Sequence, residues 1–291
     1  MHSLRRLSNL KQYHTLGVTI LQKLHNFGGN HSSFANEMEA KDKVTKDLLV
    51  AFDFDHTLVD DNSDTVARSL LSTKNIDYSS ADKIYKDTDS WTFYMREIFR
   101  ILHENAINSD QILSAIHQIP PITGMEELLK YLNTDSRCEV IIISDSNSIF
   151  IDEWLKVRNL SSIVRKVFTN PAFFDSNGLL NIEPYQKQDF CKISEWNMCK
   201  GHVLETYISH RKNENVSFNL LAYVGDGSND LCPSLRLSNG DFVFPRKNYA
   251  LSKKLSKHKS EIKADVHPWT TGNDILDVLQ QALTSMNSQR D

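Results

Sequence analysis

Two aspartates, Asp53 and Asp55, follow an apolar run in the stretch LLVAFDFDHTLVDDNSDT, residues 48–65. Residues two apart in an extended chain project to the same side, so both carboxylates can face one reacting centre. One carboxylate can attack as a nucleophile, while the other protonates the leaving group and later activates water. Repulsion between the two acids becomes tolerable when a divalent cation neutralises it, and Mg²⁺ prefers such hard oxygen ligands. The pair therefore predicts a metal-assisted group transfer.

Three other segments carry complementary side chains. Ser144 ends the apolar run CEVIIIS, Lys200 stands near the start of a predicted helix, and GDGSND follows the run FNLLAYV. The Ser144 hydroxyl can donate to a phosphoryl oxygen, and the Lys200 ammonium can offset negative charge during transfer. Asp226 and Asp230, in a turn with glycines, are the natural further ligands of Mg²⁺. These residues together indicate phosphoryl transfer, with Asp145 expected to point away from the active face.

The apolar runs predict an α/β fold with a doubly wound, Rossmann-like and mostly parallel sheet. The predicted strands are residues 48–54, 138–144, 165–169, 218–225 and 241–244, and the predicted core helices are 146–158, 199–213 and 272–285. The unbroken apolarity of residues 140–143 is typical of a strand that is buried on both faces. Parallel strands bring their C-terminal ends to one edge, where open α/β sheets bind ligands. The chemically competent residues are expected to meet at that edge.

The strand and helix patterns divide the chain into three parts. These are an N-terminal extension, residues 1–46, an α/β core, residues 47–61 and 121–285, and a small helical cap inserted at residues 62–120. The aromatic residues of the insertion are interpreted as helix core in preference to a cage for a choline-like cation: Trp91, Phe93, Tyr94 and Phe99. Residues 170–185 predict a β-hairpin around Asn177-Gly178.

The extension at residues 1–46 has several basic residues before its first acid, Glu37. This pattern is typical of a mitochondrial transit peptide, and a dispensable tail explains it equally well. We expect a cytoplasmic protein, and mitochondrial targeting by the extension is the alternative.

Composition argues against several classes of protein. The 291 residues are 40% hydrophobic and 24% charged with a formal net charge of −4, so neither a disordered chain nor a general binder of nucleic acid or anionic membrane is expected. No run approaches the ~18 apolar residues of a membrane-spanning helix. The four cysteines are expected to be reduced, and Cys191, Cys199 and His202 match zinc-site spacing poorly, which favours buried thiols.

Four runs, in this order, resemble the four motifs of the haloacid dehalogenase superfamily of aspartate-nucleophile phosphatases: DFDHTLV, IIISDSN, NMCK and YVGDGSNDLCP. Further runs resemble the group that contains pyridoxal phosphate phosphatases and phosphoethanolamine/phosphocholine phosphatases: ISDSNSIFIDEWL, VFTNPAFFDSNG and FPRKNY. The resemblance covers about residues 48–282. One departure is the run CKISEW, residues 191–196, where these proteins often carry Cys-x-x-Cys-Pro.

The resemblance implies a role for each matching residue. Asp53 would form the aspartyl-phosphate, and Asp55 would be the general acid and base while its backbone carbonyl binds Mg²⁺. The implied phosphate-binding residues are Thr57, Ser144 and Lys200, and the implied metal-binding residues are Asp53, Asp55, Asp226 and Asp230. His56 and Asp64 are candidate substrate contacts.

The sequence thus predicts a Mg²⁺-dependent phosphomonoesterase that hydrolyses a small organic phosphate through an aspartyl-phosphate intermediate. Pyridoxal 5'-phosphate is the favoured substrate, and phosphoethanolamine or phosphocholine is the alternative. More distant alternatives are a phosphotransferase or mutase, which would use the same residues, and a non-catalytic regulatory protein. The expected partner is a small-molecule phosphomonoester, neither nucleic acid nor membrane is expected, and nothing in the sequence indicates an oligomeric state.

Overall fold

The computed structural model describes residues 43–288. Within this range the strands, numbered in chain order, are β1 (Val44–Phe52), β2 (Cys138–Asn147), β3 (Val164–Asn170), β4 (Ala172–Phe174), β5 (Leu180–Ile182), β6 (Val216–Gly225), β7 (Phe242–Pro245) and β8 (Asp265–Val266). One six-stranded sheet has the order β3-β2-β1-β6-β7-β8, and every neighbouring pair in it is parallel. This topology confirms the predicted α/β fold with a mostly parallel sheet.

Helices lie in the connections between the strands of the six-stranded sheet. In chain order they are α1 (Ser63–Ser72), α2 (Ser79–Thr88), α3 (Trp91–Glu104), α4 (Ser109–His117), α5 (Met125–Thr134), α6 (Ser148–Val157), α7 (Lys200–Asn213), α8 (Leu231–Arg236), α9 (Ala250–Leu255) and α10 (Gly272–Ser288). The three predicted core helices correspond to α6, α7 and α10, and their ends differ from the prediction by at most three residues.

Strand β1 separates two apolar layers. Leu48, Val50 and Phe52 join a cluster that contains residues of α3, α5 and α6. Leu49 and Ala51 point the other way and join a cluster that contains residues of α7 and α9. Alternate side chains of a strand face opposite sides of the sheet, so a strand covered on both faces must be apolar throughout. The unbroken apolar run before Asp53 therefore reflects burial on both sides of the sheet.

The segment predicted as a helical insertion, residues 62–120, contains α1, α2, α3 and α4. Asn62 caps α1, because its side chain accepts a hydrogen bond from the Thr65 N–H at 2.9 Å. On α3, the Arg96 guanidinium donates to the Ile182 carbonyl of β5 at 3.0 Å. The insertion thus contacts the hairpin formed by β4 and β5.

The hairpin confirms the turn predicted around Asn177-Gly178. Strands β4 and β5 pair antiparallel, with Phe174 opposite Leu180. Gly178 has a φ of +83°, a left-handed conformation that glycine adopts without the steric cost of a Cβ atom.

Strand β1 begins at Val44, which lies inside the extension predicted for residues 1–46. The predicted transit peptide or tail otherwise falls on residues 1–42, outside the described residues. Among residues 43–288 there is no helix with the length and apolarity needed to cross a lipid bilayer.

Candidate active site

The predicted catalytic residues converge at the C-terminal edge of the sheet. Asp53 directly follows β1, and its N–H donates to the Val224 carbonyl of the neighbouring β6 at 2.9 Å. Ser144 lies in β2, on the other side of β1, and Asp226 directly follows β6. Adjacent parallel strands deliver these side chains to one place although they are far apart in sequence.

Lys200 joins two of the acids. It is the first residue of α7, and its Nζ lies 2.7 Å from Asp53 Oδ2 and 2.9 Å from Asp230 Oδ1. Its side chain is 1% exposed, so an unpaired ammonium at this position would be strongly disfavoured. Burial acts to lower the pKa of Lys200, but the Asp230 and Asp53 carboxylates outweigh it and raise the pKa above its usual value. Lys200 is therefore a fixed positive charge directly beside Asp53.

Asp230 organises the turn that follows β6. Its Oδ2 accepts hydrogen bonds from the Asp226 N–H at 3.0 Å and the Gly227 N–H at 2.8 Å. Its Oδ1 accepts from the Tyr223 hydroxyl at 2.7 Å and from Lys200 at 2.9 Å. A carboxylate has about four acceptor positions, and these donors fill them. Asp230 thus fixes the backbone of Asp226 and the ammonium of Lys200 together.

Gly225 provides the space that this carboxylate occupies. A Cβ atom added to Gly225 would lie 2.4 Å from Asp230 Oδ2, well inside van der Waals contact. Glycine is the residue that permits such close approach to the backbone. The first glycine of the GDG turn is therefore required by the packing of Asp230.

Asp55 is held by the first residue of α1. Its Oδ1 accepts a hydrogen bond from the Ser63 N–H at 2.8 Å, and its Oδ2 accepts one from the Ser63 hydroxyl at 3.2 Å. Burial raises the pKa of Asp55 to about 8, and the nearby Asp64 carboxylate adds to this effect. A carboxylic acid with that pKa keeps its proton at neutral pH, as a general acid must.

Asp53, Asp226 and Asp230 form a group that fits a divalent cation. One carboxylate oxygen from each lies within 4.8 Å of the others, and all three residues are buried. Burial raises the pKa of Asp53, and it raises the pKa of Asp226 to about 7. These shifts mean that ionisation is unfavourable without added positive charge, which a cation supplies. The donors are all oxygen atoms, as Mg²⁺ prefers.

Two of the implied phosphate-binding hydroxyls are buried within the same edge. The Thr57 hydroxyl donates to Asp226 Oδ1 at 3.3 Å. Ser144 Oγ accepts a hydrogen bond from the Ser146 N–H at 3.2 Å, which leaves its own proton available to a phosphoryl oxygen. Both side chains therefore lie at the edge of the sheet that carries the acids, and their contact with phosphate stays a prediction.

Asp64 lies next to Ser63 on α1 and is 2% exposed. Its Oδ2 accepts a hydrogen bond from the Trp91 indole N–H at 2.7 Å. Its Oδ1 is buried and has no hydrogen-bond partner among residues 43–288. Burial raises the pKa of Asp64 to about 7, although the Trp91 hydrogen bond opposes the shift. Buried polar atoms without partners are uncommon, so this oxygen is a good candidate for a ligand contact.

A cavity of about 650 Å³ adjoins the catalytic edge. Trp91 and Phe93 of α3 and Trp196 of the segment before α7 contribute aromatic surface to it. Asp145 and Asn229, which neighbour the candidate residues Ser144 and Asp230 in sequence, contribute polar surface. The cavity therefore lies beside the candidate site through Asp145 and Asn229, and Asp53, Asp55, Asp226 and Asp230 are not among the residues that line it.

The interpretation of the insertion's aromatic residues as helix core is confirmed for Tyr94 and Phe99 and for Trp91, which is half-buried and packs against the core cluster. Phe93 is not part of that cluster. Tyr94 and Phe99 are buried in the core, whereas Trp91 and Phe93 line the cavity. Successive residues of a helix point about 100° apart, so one amphipathic helix presents aromatic side chains both to the core and to the cavity.

Asp145 also lines the cavity, instead of pointing away from the active face. Its Oδ2 accepts a hydrogen bond from the Asn229 side-chain amide at 2.9 Å, and its charge contributes to the raised pKa of Asp53. The pairing of β2 with β3 shifts register between Ile143 and Asn147. Such an irregularity breaks the strict alternation of side chains on which the expectation depended.

The remaining acids of the opening stretch lie apart from the site. Asp60 is exposed and pairs with the Arg246 guanidinium at 2.7 Å, and Asp61 is exposed. The His56 ring lies 5.6 Å from the Tyr249 ring, and His56 is not among the residues that line the cavity. The substrate contact suggested for His56 therefore remains a prediction.

A sequence model of the family described as Putative Phosphatase matches residues 48–283. The chain belongs to this family. A curated Bos taurus relative named pyridoxal phosphate phosphatase PHOSPHO2 is 36% identical over 237 residues, which cover 80% of this chain and 97% of the relative. A Homo sapiens relative named phosphoethanolamine/phosphocholine phosphatase is 34% identical over 244 residues, which cover 82% of this chain and 90% of the relative. These matches confirm the predicted resemblance to haloacid dehalogenase superfamily phosphatases.

Solved structures share the fold at lower sequence identity. A phosphoserine phosphatase described as a phospho-aspartyl intermediate analogue matches with a TM-score of 0.52 and 18% identity, over 81% of this chain and 99% of that one. A probable phosphoserine phosphatase from Vibrio cholerae matches with a TM-score of 0.55 and 13% identity, over 84% and 67% of the two chains. At these identities the likeness concerns the fold alone.

Proposed function

We propose that the protein is a Mg²⁺-dependent phosphomonoesterase that hydrolyses a small organic phosphate through an aspartyl-phosphate on Asp53. The observation that carries the proposal is the contact of Lys200 Nζ with Asp53 Oδ2 at 2.7 Å, inside a buried group of acids. Phosphoryl transfer is catalysed mainly by positioning and by compensation of negative charge. A buried ammonium beside a buried carboxylate nucleophile supplies both.

The chain's own residues account for the proton transfers. The Asp53 carboxylate attacks phosphorus, so that its bond to phosphorus forms while the bond from phosphorus to the substrate oxygen breaks. Asp55, held by Ser63, donates its proton to the departing oxygen. Asp55 then accepts a proton from water, which attacks the aspartyl-phosphate and releases inorganic phosphate and free Asp53.

Magnesium would be held by Asp53, Asp226 and the backbone carbonyl of Asp55. When bound, it offsets the negative charge of the phosphoryl group and of the acids. Each oxygen of Asp230 already accepts two hydrogen bonds, so Asp230 would mainly position Lys200 and Asp226. It would reach the ion, directly or through water, only by exchanging one of these donors. Ser144 would donate to a phosphoryl oxygen from the protein side, whereas Thr57, whose hydroxyl donates to Asp226 Oδ1, would do so only by giving up that hydrogen bond.

Pyridoxal 5'-phosphate is the proposed first substrate. The cavity that adjoins the site is lined by Trp91, Phe93 and Trp196, and a planar aromatic ring packs well against such side chains. The Bos taurus relative's name points to the same compound. The helices of residues 62–120 would form the cap that covers this ligand and excludes water.

Phosphoethanolamine or phosphocholine is the second candidate, and the same cavity also favours it. The lining combines aromatic faces with the acids Asp89, Asp145 and Glu195. An ammonium or quaternary ammonium group binds over aromatic faces and near carboxylates. The name of the Homo sapiens relative agrees with this alternative.

A substrate panel tests the proposal. Inorganic phosphate release is measured from pyridoxal phosphate, phosphoethanolamine and phosphocholine, with Mg²⁺ and after its removal by a chelator. The proposal expects Mg²⁺-dependent release, greatest with pyridoxal phosphate. Release that occurs only when a second alcohol is present would indicate a phosphotransferase, and no turnover of any phosphomonoester would favour the non-catalytic alternative.

A further inference from the structure

Three cysteines from separate segments come together beside α7. Cys191 lies in the segment before α7, Cys199 is the N-cap of α7, and Cys232 lies in the first turn of α8. The Cys232 Sγ is 3.5 Å from the Sγ of Cys191 and 3.5 Å from the Sγ of Cys199. All three Sγ atoms lie within 4.8 Å of one another, and all three cysteines are free.

These distances suit a tetrahedral metal ion. Zinc binds thiolate sulfur at about 2.3 Å, which places two sulfur ligands of a tetrahedral site roughly 3.8 Å apart. Sulfur ligands select zinc over the hard cations that carboxylates prefer, so this group and the acidic group would bind different metals. The Ser194 Oγ lies 3.2 Å from the Cys191 Sγ, so an oxygen atom is near the sulfur group.

We propose that Cys191, Cys199 and Cys232 bind one zinc ion as thiolates, with the fourth coordination position beside the Ser194 hydroxyl. Each coordinated thiol releases its proton to solvent when the ion binds. The zinc site that the sequence analysis disfavoured had His202 as its third ligand. In the structure the His202 ring packs against the Phe190 ring, with 5.0 Å between the ring centroids. Cys232 supplies the third sulfur instead.

The segment that carries Cys191 is already shaped to present it. The Gln188 side chain, 5% exposed, donates to the carbonyls of Cys191, Ser194 and Glu195 and accepts from the Cys191 N–H at 2.9 Å. The Gln188 amide therefore fixes the backbone of residues 191–195 by hydrogen bonds. A site whose backbone is preorganised loses less conformational entropy when the ion binds.

Gly201 lets α7 approach the same sulfur atoms. A Cβ atom at Gly201 would lie 2.6 Å from Cys232 Sγ. The sulfur group is therefore packed directly against the first turn of α7, with no room for a larger residue.

The zinc ion would connect the substrate cavity to the catalytic residues. Ser194, Glu195, Trp196 and Asn197 line the cavity, and Cys191 holds one end of that segment. Cys199 directly precedes Lys200, and Cys232 follows Asp230 by two residues. The ion would thus position the aromatic wall relative to the Lys200–Asp230 pair without contacting the substrate.

Metal analysis of the full-length protein, purified without chelators and under reducing conditions, tests the site. Elemental analysis is expected to find about one zinc ion per chain, retained against excess Mg²⁺. Cys191→Ala and Cys232→Ala should lose this zinc. The matched control Cys138→Ala, a buried cysteine at the start of β2, should keep it.

Cobalt substitution and a gain-of-ligand variant sharpen the result. Co²⁺ bound by three thiolates gives sulfur-to-metal charge-transfer absorption, which should disappear in Cys191→Ala. Ser194→Cys adds a fourth sulfur ligand, so it should increase that absorption and slow the removal of zinc by a chelator. The proposal is overturned if the protein contains no zinc and its cysteines give no cobalt absorption, or if a disulfide links two of the three.

Discussion

Ser63 Oγ lies 2.8 Å from Ser146 Oγ, so the first residue of α1 is joined to the end of β2 directly above the Asp55 carboxylate. The Ser63 hydroxyl donates to Asp55 Oδ2, and the Ser146 hydroxyl is then the donor to Ser63. The proposed general acid is therefore oriented by a residue of the insertion, which is itself held by the core sheet.

Replacing Ser63 should weaken catalysis more than binding. In Ser63→Ala, Asp55 keeps the hydrogen bond from the backbone N–H of residue 63 but loses the one from the side-chain hydroxyl. The carboxyl group that donates the proton is then oriented less precisely. We expect kcat to fall by about tenfold with little change in KM. Steady-state kinetics on the best substrate measure this, with Ser69→Ala as the control on the exposed side of α1. An unchanged kcat would remove Ser63 from the positioning of Asp55.

Asp53→Asn should abolish turnover and leave the fold intact. The amide is nearly isosteric with the carboxylate but cannot form the acyl phosphate, so we expect a loss of at least about a thousandfold in kcat. Phosphate release gives the activity, and circular dichroism melting gives the stability. Asp61→Asn, in the same stretch but exposed, should keep full activity. Near-normal turnover in Asp53→Asn would require another nucleophile.

Lys200→Met should destabilise the protein as well as inactivate it. Removing the buried ammonium leaves Asp53 and Asp230 without their positive partner, a loss that typically costs about 3–5 kcal/mol. Urea unfolding measures the change in the free energy of unfolding. Lys212→Met, on the exposed end of the same helix, should have little effect. A variant as stable as the wild type would mean that the two acids are neutral in the folded protein.

Asp64→Asn should raise stability at alkaline pH. The folded pKa of Asp64 is about 7, against 3.8 for the ordinary side chain, so the folded state binds more protons between these values. Stability therefore falls as pH rises through this window. Asparagine can still accept the Trp91 hydrogen bond and has no such penalty, so its advantage should grow by about 2.6 kcal/mol between pH 5 and pH 8.

Urea unfolding at the two pH values measures this advantage. The exposed Asp87→Asn on α2, which also replaces a carboxylate by an amide, serves as the matched control. If the Asp64→Asn advantage were constant with pH, Asp64 would be ionised throughout.

Magnesium should stabilise the folded protein through Asp226. A ligand that binds only the folded state adds about 2.7 kcal/mol at one hundred times its Kd, so Mg²⁺ should raise the melting temperature in a concentration-dependent way. This increase should vanish in Asp226→Asn. It should persist in Asp265→Asn, whose carboxylate is exposed on β8. An equal increase in both variants would place the ion elsewhere.

The sequence alone was sufficient to predict the fold and to predict that the candidate catalytic residues lie together; their catalytic roles stay predictions. Apolar runs ending in Asp53, Ser144 and Asp226 identify buried parallel strands, and parallel strands have their C-terminal ends at one edge. Both predictions depend on patterns that are local in the chain. These are the unbroken apolar runs of the strands and the two-residue spacing of Asp53 and Asp55.

The tertiary structure alone decided the surroundings of that set. The contact of Asp64 with Trp91, the position of Asp145 beside Asn229 and the meeting of Cys191 with Cys232 join residues that are far apart in sequence. No spacing rule links such residues, because their distances depend on how the insertion and the segment before α7 pack against the sheet. The candidate catalytic residues could therefore be predicted from local sequence patterns, whereas the cavity and the sulfur cluster arise only from packing.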